Sequence, residues 1–188
     1  LKENERLLDD ASTLLTKMVR DEVRITPAGE WLLDNYYLIE EQIRTARRHL
    51  PKGYSRELPS LSAGPSAGLP RVYDLAMEAI AHGDGRIDEE ILSRFVAAYQ
   101  SVTPLKMGEL WAIPIMLRLA LIENLRRMAV RVMRDGGDHR LAGEWANLLN
   151  QTADSSPKNV VLVVADMARS EPPITGAFVA ELTRGIHG

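Results

Sequence analysis

Apolar residues return at steps of three and four along most of this chain, the spacing of helices with one buried face. Leu7, Leu8, Ala11, Leu14, Leu15 and Met18 predict an amphipathic helix over residues 3–19, and the DEVRI run at 21–25 breaks its period. Thr26-Pro27 reads as the next helix start, a hydroxyl cap followed by a proline where no amide donor is missed. From there Leu32, Tyr36, Ile39, Ile43, Ala46 and Leu50 follow at steps of 4, 3, 4, 3 and 4. That seam predicts one helix over 27–50, with Trp31 and Leu38 widening the stripe. Glu30 and Asp34 near its start and Arg44, Arg47 and Arg48 near its end suit the helix dipole. Pro51 ends it.

Residues 51–68, PKGYSRELPSLSAGPSAG, read as a long irregular arm. Its first part, with Tyr54, Arg56 and Leu58, is expected to dock on the 27–50 helix, and 60–68 to be mobile. Leu69-Pro70 opens a helix to about Ala81, HGDG at 82–85 is a turn, and Asp88 caps a helix that turns Ile91, Leu92, Phe95, Val96 and Tyr99 inward. Pro104 starts the longest periodic segment, to about Met133, with Leu110, Ile113, Leu117, Leu121, Leu125, Met128 and Val132 as its stripe. Ile115, Met116, Leu119 and Ile122 cover most of its other side, so it is expected to be the buried central helix, kinked by Pro114 near residue 110. A DGGD turn then separates it from a helix over 138–151 carrying Leu141, Trp145, Leu148 and Leu149. Ser156-Pro157 repeats the cap-and-proline start, which makes VVLVVA at 160–165 a helix despite its β-branching; a last helix spans about 174–182. The fold predicted is all-α: an irregular bundle of about eight helices around the 105–134 helix, with one long loop at 51–68, in a single domain over 1–188.

Composition narrows the function classes. Hydrophobic content of 45% and charged content of 26% are ordinary for a globular protein, and a net charge of −3 gives no reason to expect nucleic acid or an anionic membrane. The absence of cysteine excludes disulfides, thiolate metal sites and cysteine nucleophiles. The charged first ten residues do not read as a signal peptide, and the start at Leu1 reads as that of an excised piece. The best apolar run, Leu110–Leu117, falls far short of the roughly 20 residues a membrane span needs.

Candidate chemistry is thin. Gly64-Pro65-Ser66-Ala67-Gly68 has the G-x-S-x-G pattern, but a nucleophile elbow needs a strand before it, and Leu58-Pro59-Ser60-Leu61-Ser62 supplies none. Asp84-Gly85-Arg86-Ile87-Asp88 looks like the middle of a calcium loop, yet its first, third and last ligand positions would fall on Ile80, His82 and Ile91. His49, His82, His139 and His187 have no helical metal spacing. No catalytic residue, metal or cofactor is assigned. Arg118, Arg126, Arg127, Arg131 and Arg134 read as a solvated basic face, with a docking surface as the alternative. Trp31, Trp111 and Trp145 are of a type that stacks on sugar rings, but each adjoins an apolar stripe, which favours the core or its edge.

Three strings carry a resemblance. EWLLDNYYLIEEQIRTARRHLPKGYSRELP at 30–59, GLPRVYDLAMEAIAHGDGRID at 68–88 and LKMGELWAIPIMLRLALIENLRRMA at 105–129 are similar, in order, to a region near the N-terminus of bacterial cyclic β-1,2-glucan synthases. The resemblance implies a fragment of a much larger inner-membrane enzyme that polymerises glucose from UDP-glucose and cyclises the product. The piece itself would be soluble, at the cytoplasmic face, without a cofactor of its own, and non-catalytic. Its expected partners are the remaining domains of the synthase, contacted through Arg44, Arg47, Arg48, Tyr54 and Arg56. The alternative is a module that holds the growing β-1,2-glucan, with Trp31 and Tyr37 as the contact residues.

Overall fold

Helical spacing decides the local structure nearly everywhere in the computed structural model, which describes residues 1–50, 53–83, 85–170 and 174–186. The fold is all-α. Among the described residues it has α1 (Lys2–Arg20), α2 (Pro27–Asp34), α3 (Tyr36–His49), the single turn α4 (Tyr54–Glu57), α5 (Arg71–His82), α6 (Glu89–Val102) and α7 (Met107–Ser155). A 3-10 turn at Pro157–Asn159, α8 (Val160–Arg169) and α9 (Gly176–Ile186) complete it. The chain divides into two compact units: Leu1–Leu8 with Asn35–Met128, and Asp9–Asp34 with the residues from Ala129 onward.

In the first unit the seam of α3 is buried through Ile39, Ile43 and Ala46. Helix α5 buries Val72, Leu75, Ala76, Ala79 and Ile80, and Asp88 caps α6 by accepting the Ile91 amide at 2.7 Å. Ile91 itself is exposed, so α6 turns inward through Val96, with Leu92, Phe95 and Tyr99 half-buried. Helix α7 buries Ala112, Ile113, Ile115, Met116, Ala120 and Ile122; Leu121 is exposed, so the buried face is rotated from the expected stripe toward the alanines. Trp111, 78% exposed, shows that this helix is not covered on every side.

The arm is more ordered in its bonding than its composition suggests. Leu61 N–H donates to Leu69 O at 3.0 Å, Gly68 N–H to Leu61 O at 2.8 Å and Arg71 N–H to Pro59 O at 2.9 Å, and Ser60 and Pro70 form an isolated antiparallel bridge. Residues 60–68 therefore form a loop closed at its base. The 82–85 turn is described at Gly83 and Gly85; Asp84 lies outside the described residues, as do Pro51 and Lys52 of the arm.

In the second unit α1 buries Ala11, Leu15 and Met18, and α2 buries Leu32 after Thr26 Oγ1 caps it by accepting the Gly29 amide at 3.2 Å. Helix α1 ends in a Schellman arrangement: Val23 N–H reaches Met18 O at 2.8 Å and Glu22 N–H reaches Val19 O at 3.2 Å. Glu22 takes the left-handed position at φ 56° that glycine usually holds. Ala142, Ala146, Leu149, Phe178 and Leu182 form a core cluster against which Leu141, Trp145, Val160, Val163 and Met167 pack.

Two boundaries differ from the sequence reading. The helix expected over 27–50 is two, α2 and α3, divided at Asn35, whose φ −106° and ψ 9° leave the helical region. Asn35 O then accepts both Leu38 N–H and Ile39 N–H, restarting the helix. Trp31 and Leu38, expected on the buried stripe, are exposed. The DGGD turn is absent, because α7 runs through residues 135–138 without a break. Gly136 is buried there for a packing reason: a Cβ would lie 2.9 Å from Met18 Sδ and Cε, so the missing side chain admits α1. Asp138 is buried and accepts the Thr175 hydroxyl at 2.5 Å, while Thr175 Oγ1 accepts the Phe178 amide at 3.1 Å and caps α9.

Candidate functional site

The most elaborate polar arrangement lies in the first unit, where α5 and α7 both begin. Pro70 precedes α5, so Arg71 occupies its first turn; Glu109 is the third residue of α7. A glutamate there reaches back to the amide at the helix cap, the reciprocal half of a capping box. Glu109 does so, with Lys106 N–H donating to its Oε2 at 2.9 Å. Arg71 Nε and Nη2 donate to Oε1 and Oε2, each at 2.6 Å, and Nη2 also donates to Pro104 O at 2.9 Å. Glu109 is fully buried.

A two-pronged guanidinium contact is the strongest way to hold a carboxylate out of water. The hydrogen bonds from Arg71 hold the Glu109 carboxyl below its usual range, against the opposing effect of burial, and the same contact raises Arg71. Both oxygens are occupied and the group stays ionised. Fully buried and tied by three hydrogen bonds, the carboxylate is placed as an anchor between the starts of α5 and α7.

The first part of the arm is tied to the same helix. Tyr54 donates its hydroxyl to Gly108 O at 3.0 Å, one residue before Glu109, which ties it to the start of α7. Leu58 is buried and Arg56 exposed. Of the arginines expected to make contacts, Arg44 and Arg48 are exposed, and Arg47 is exposed and ion-paired with Glu5. Arg44, Arg47, Arg48, Tyr54 and Arg56 all belong to the first unit.

Tyr73 lines two cavities of this unit. One, of about 540 Å³, has apolar walls from Leu50, Leu69, Pro70, Met116 and Leu119. The other, of about 410 Å³, is bordered by Ser66, Asp74, Glu78, Asn124 and Arg127. Burial pushes the Tyr73 phenol up. Ser66 sits in the closed loop with a bridge and no strand before it, which is not the setting of a nucleophile elbow. Glu123 accepts two bonds from Arg126, at 2.8 and 2.7 Å, and one from Arg127 at 3.0 Å, and Arg118 Nε donates to Gln42 Oε1 at 3.1 Å. Three of the five arginines expected on a basic face thus hold protein partners, while Arg131 and Arg134, in the second unit, are exposed.

Trp31 and Tyr37 are 47% and 63% exposed and belong to different units. Trp145 is half-buried beside the core cluster of the second unit. Among the described residues, no group of three or more His, Asp or Glu side chains converges as metal ligands, and no helix is long and apolar enough to cross a membrane.

No protein-family model matches the chain. Over 181 residues, 96% of its length, it is 37% identical to the cyclic beta-(1,2)-glucan synthase NdvB of Rhizobium meliloti (strain 1021). The chain resembles a fragment of that synthase. It spans 6% of the synthase's length, so the match covers nearly all of this chain and a small part of the synthase.

Sequence reasoning missed the Arg71–Glu109 clasp. Half of it had a signal, a glutamate three residues after the helix cap and just before an apolar run. The other half had none, because Arg71 lies 38 residues away and only the fold brings it there.

Proposed function

We propose that this chain is a non-catalytic helical region of a cyclic β-1,2-glucan synthase-like glucosyltransferase, one that docks against the part that polymerises glucose from UDP-glucose. The observation that carries this reading is the 37% identity over 96% of the chain to a small part of NdvB. The use of Glu109 as an anchor supports it, as do the exposed Arg44, Arg48 and Arg56 on a unit whose arm is tied down by Tyr54. In this reading the chain works at the cytoplasmic face of the inner membrane, its partners are the remaining domains of the synthase, and UDP-glucose is the donor used by those domains.

The test is binding followed by deletion. The isolated chain should bind a synthase lacking this region, with weaker binding after Arg44, Arg48 and Arg56 are all changed to Ala. Deleting the region should lower glucan synthesis or alter ring size. No affinity together with unchanged synthesis would sink the proposal.

A second reading rests on aromatic exposure. Trp31, Tyr37 and Trp111 present ring surface outward, as a module holding β-1,2-glucan would require. Linear β-1,2-glucan titrated against tryptophan fluorescence separates the two: holding the glucan predicts a saturable change lost with Trp31→Ala or Trp111→Ala, and docking predicts none.

A further inference from the structure

We propose that the cavity between the 60–68 loop, α5 and α7 binds an uncharged, polyhydroxylated ligand, a pyranose, through Ser66, Asp74 and Asn124. This deepens the glucan-holding reading above, whose ligand is of that class, and moves the contact from exposed rings into a cavity.

Helical spacing builds the site. Tyr73, Asp74, Met77 and Glu78 border it from one side of α5, while Val72, Leu75, Ala76 and Ala79 are buried. Glu123, Asn124 and Arg127 repeat that spacing on α7, and Ser66 and Leu69 come from the loop. All of them belong to the first unit. The loop wall is fixed in advance: Leu69 N–H donates to Ser66 O at 3.0 Å and Gly68 N–H to Leu61 O at 2.8 Å. A wall that is already ordered loses little entropy when a ligand binds. The volume, about 410 Å³, lies within the range of small-ligand sites.

Charge and hydrogen bonding select the ligand. The carboxylates of Asp74, Glu78 and Glu123 border the cavity against the single guanidinium of Arg127, so its lining is net negative. A phosphate or a nucleotide is repelled by such a lining. A metal ion lacks its ligand set, since no three His, Asp or Glu side chains converge among the described residues. Glu123 is already bonded to Arg126 and Arg127, and Glu78 lies 3.7 Å from His82. Among the described residues, the side chains of Ser66, Asp74 and Asn124 have no hydrogen-bond partner. They offer a carboxylate that accepts, and an amide and a hydroxyl that each donate and accept. Neighbouring hydroxyls on a sugar ring answer that set, because each donates one bond and accepts others. Tyr73 adds a donor, since burial pushes its phenol up and keeps the proton on at neutral pH. Leu69, Met77 and Ile80 supply an apolar wall for the C–H face of the ring.

The probe is sophorose, the β-1,2-linked glucose disaccharide, titrated into the isotope-labelled chain and followed by amide and indole NMR signals. The amides of Ser66, Leu69 and Asn124 should shift saturably, with the indoles of Trp31 and Trp111 unmoved. Asp74→Asn keeps the side chain's shape and Asn124→Ala removes the amide; each should weaken binding about tenfold or more. Met77→Trp fills the cavity without removing a polar group and should abolish the shifts. Urea midpoints show which variants keep the fold, and the native chain's own titration decides the matter without them. The proposal is overturned by an absence of saturable shifts or by shifts that survive all the substitutions. Tighter binding of inorganic phosphate than of sophorose in the cavity would overturn it as well. Shifts confined to the indoles would leave the glucan-holding reading standing and remove this one. Cavity shifts with sophorose but no response to linear β-1,2-glucan would do the reverse.

Discussion

Glu109 carries a full charge with no exposure to water, and Arg71 makes that tolerable. Removing the cation alone leaves a buried carboxylate without its counter-charge, a change that costs about 3–5 kcal/mol. Arg71→Met should therefore lower the urea midpoint sharply. Arg71→Met with Glu109→Leu replaces the whole pair by apolar bulk and should recover most or all of the loss. The pH dependence has a definite sign. Glu109 is held below its ordinary value when folded, so its contribution is complete above the unfolded-state value and is lost as pH falls through the folded one. Urea midpoints measured down through the acidic range should fall less steeply in the double variant than in the native chain. They should still fall, because Arg126 and Arg127 hold Glu123 down in the same way.

At the scale of elements, the useful contrasts are between residues that look alike in sequence. Gly137 has open space where a Cβ would stand, so Gly137→Ala should stabilise α7 by about 0.5–1 kcal/mol. Gly185 is different: a Cβ there would lie 2.7 Å from Ala146 Cβ, and an alanine cannot swing aside. Gly185→Val should cost about 1–3 kcal/mol by forcing α9 away from α7. Glu22 sits at a left-handed helix end, and Glu22→Gly should gain about 1 kcal/mol at most. Thermal or urea unfolding of the three variants checks all of these. Helix starts were legible because caps are local: Thr26 and Asp88 both accept the amides their spacing predicts. VVLVVA is helical as expected, but without the expected cap: Ser156 makes no side-chain cap bond, and Ser156-Pro157 opens a 3-10 turn ahead of α8. The division at Asn35 was not legible, because the apolar period runs through it unbroken while the backbone does not. DGGD misled because glycine pairs signal turns, whereas Gly136 makes room for Met18 and Asp138 serves Thr175.

For the whole molecule, the all-α class followed from periodicity, and the resemblance to a synthase region followed from ordered strings of residues. Which apolar residues stay uncovered did not follow. Trp111 and Val161 lie in runs that read as core, and only the fold shows them facing outward. The closed loop at 59–70 has a practical consequence for following such a region inside a long polypeptide. The Leu61 and Leu69 backbones are already joined, so its tip at Ser62 and Ala63 is exposed with both flanks fixed. Extra residues inserted there add only loop-closure entropy, about 0.6 kcal/mol per doubling of loop length. That tip is a natural insertion point for an epitope or a fluorescent reporter, which would leave α4 and α5 on either side in place.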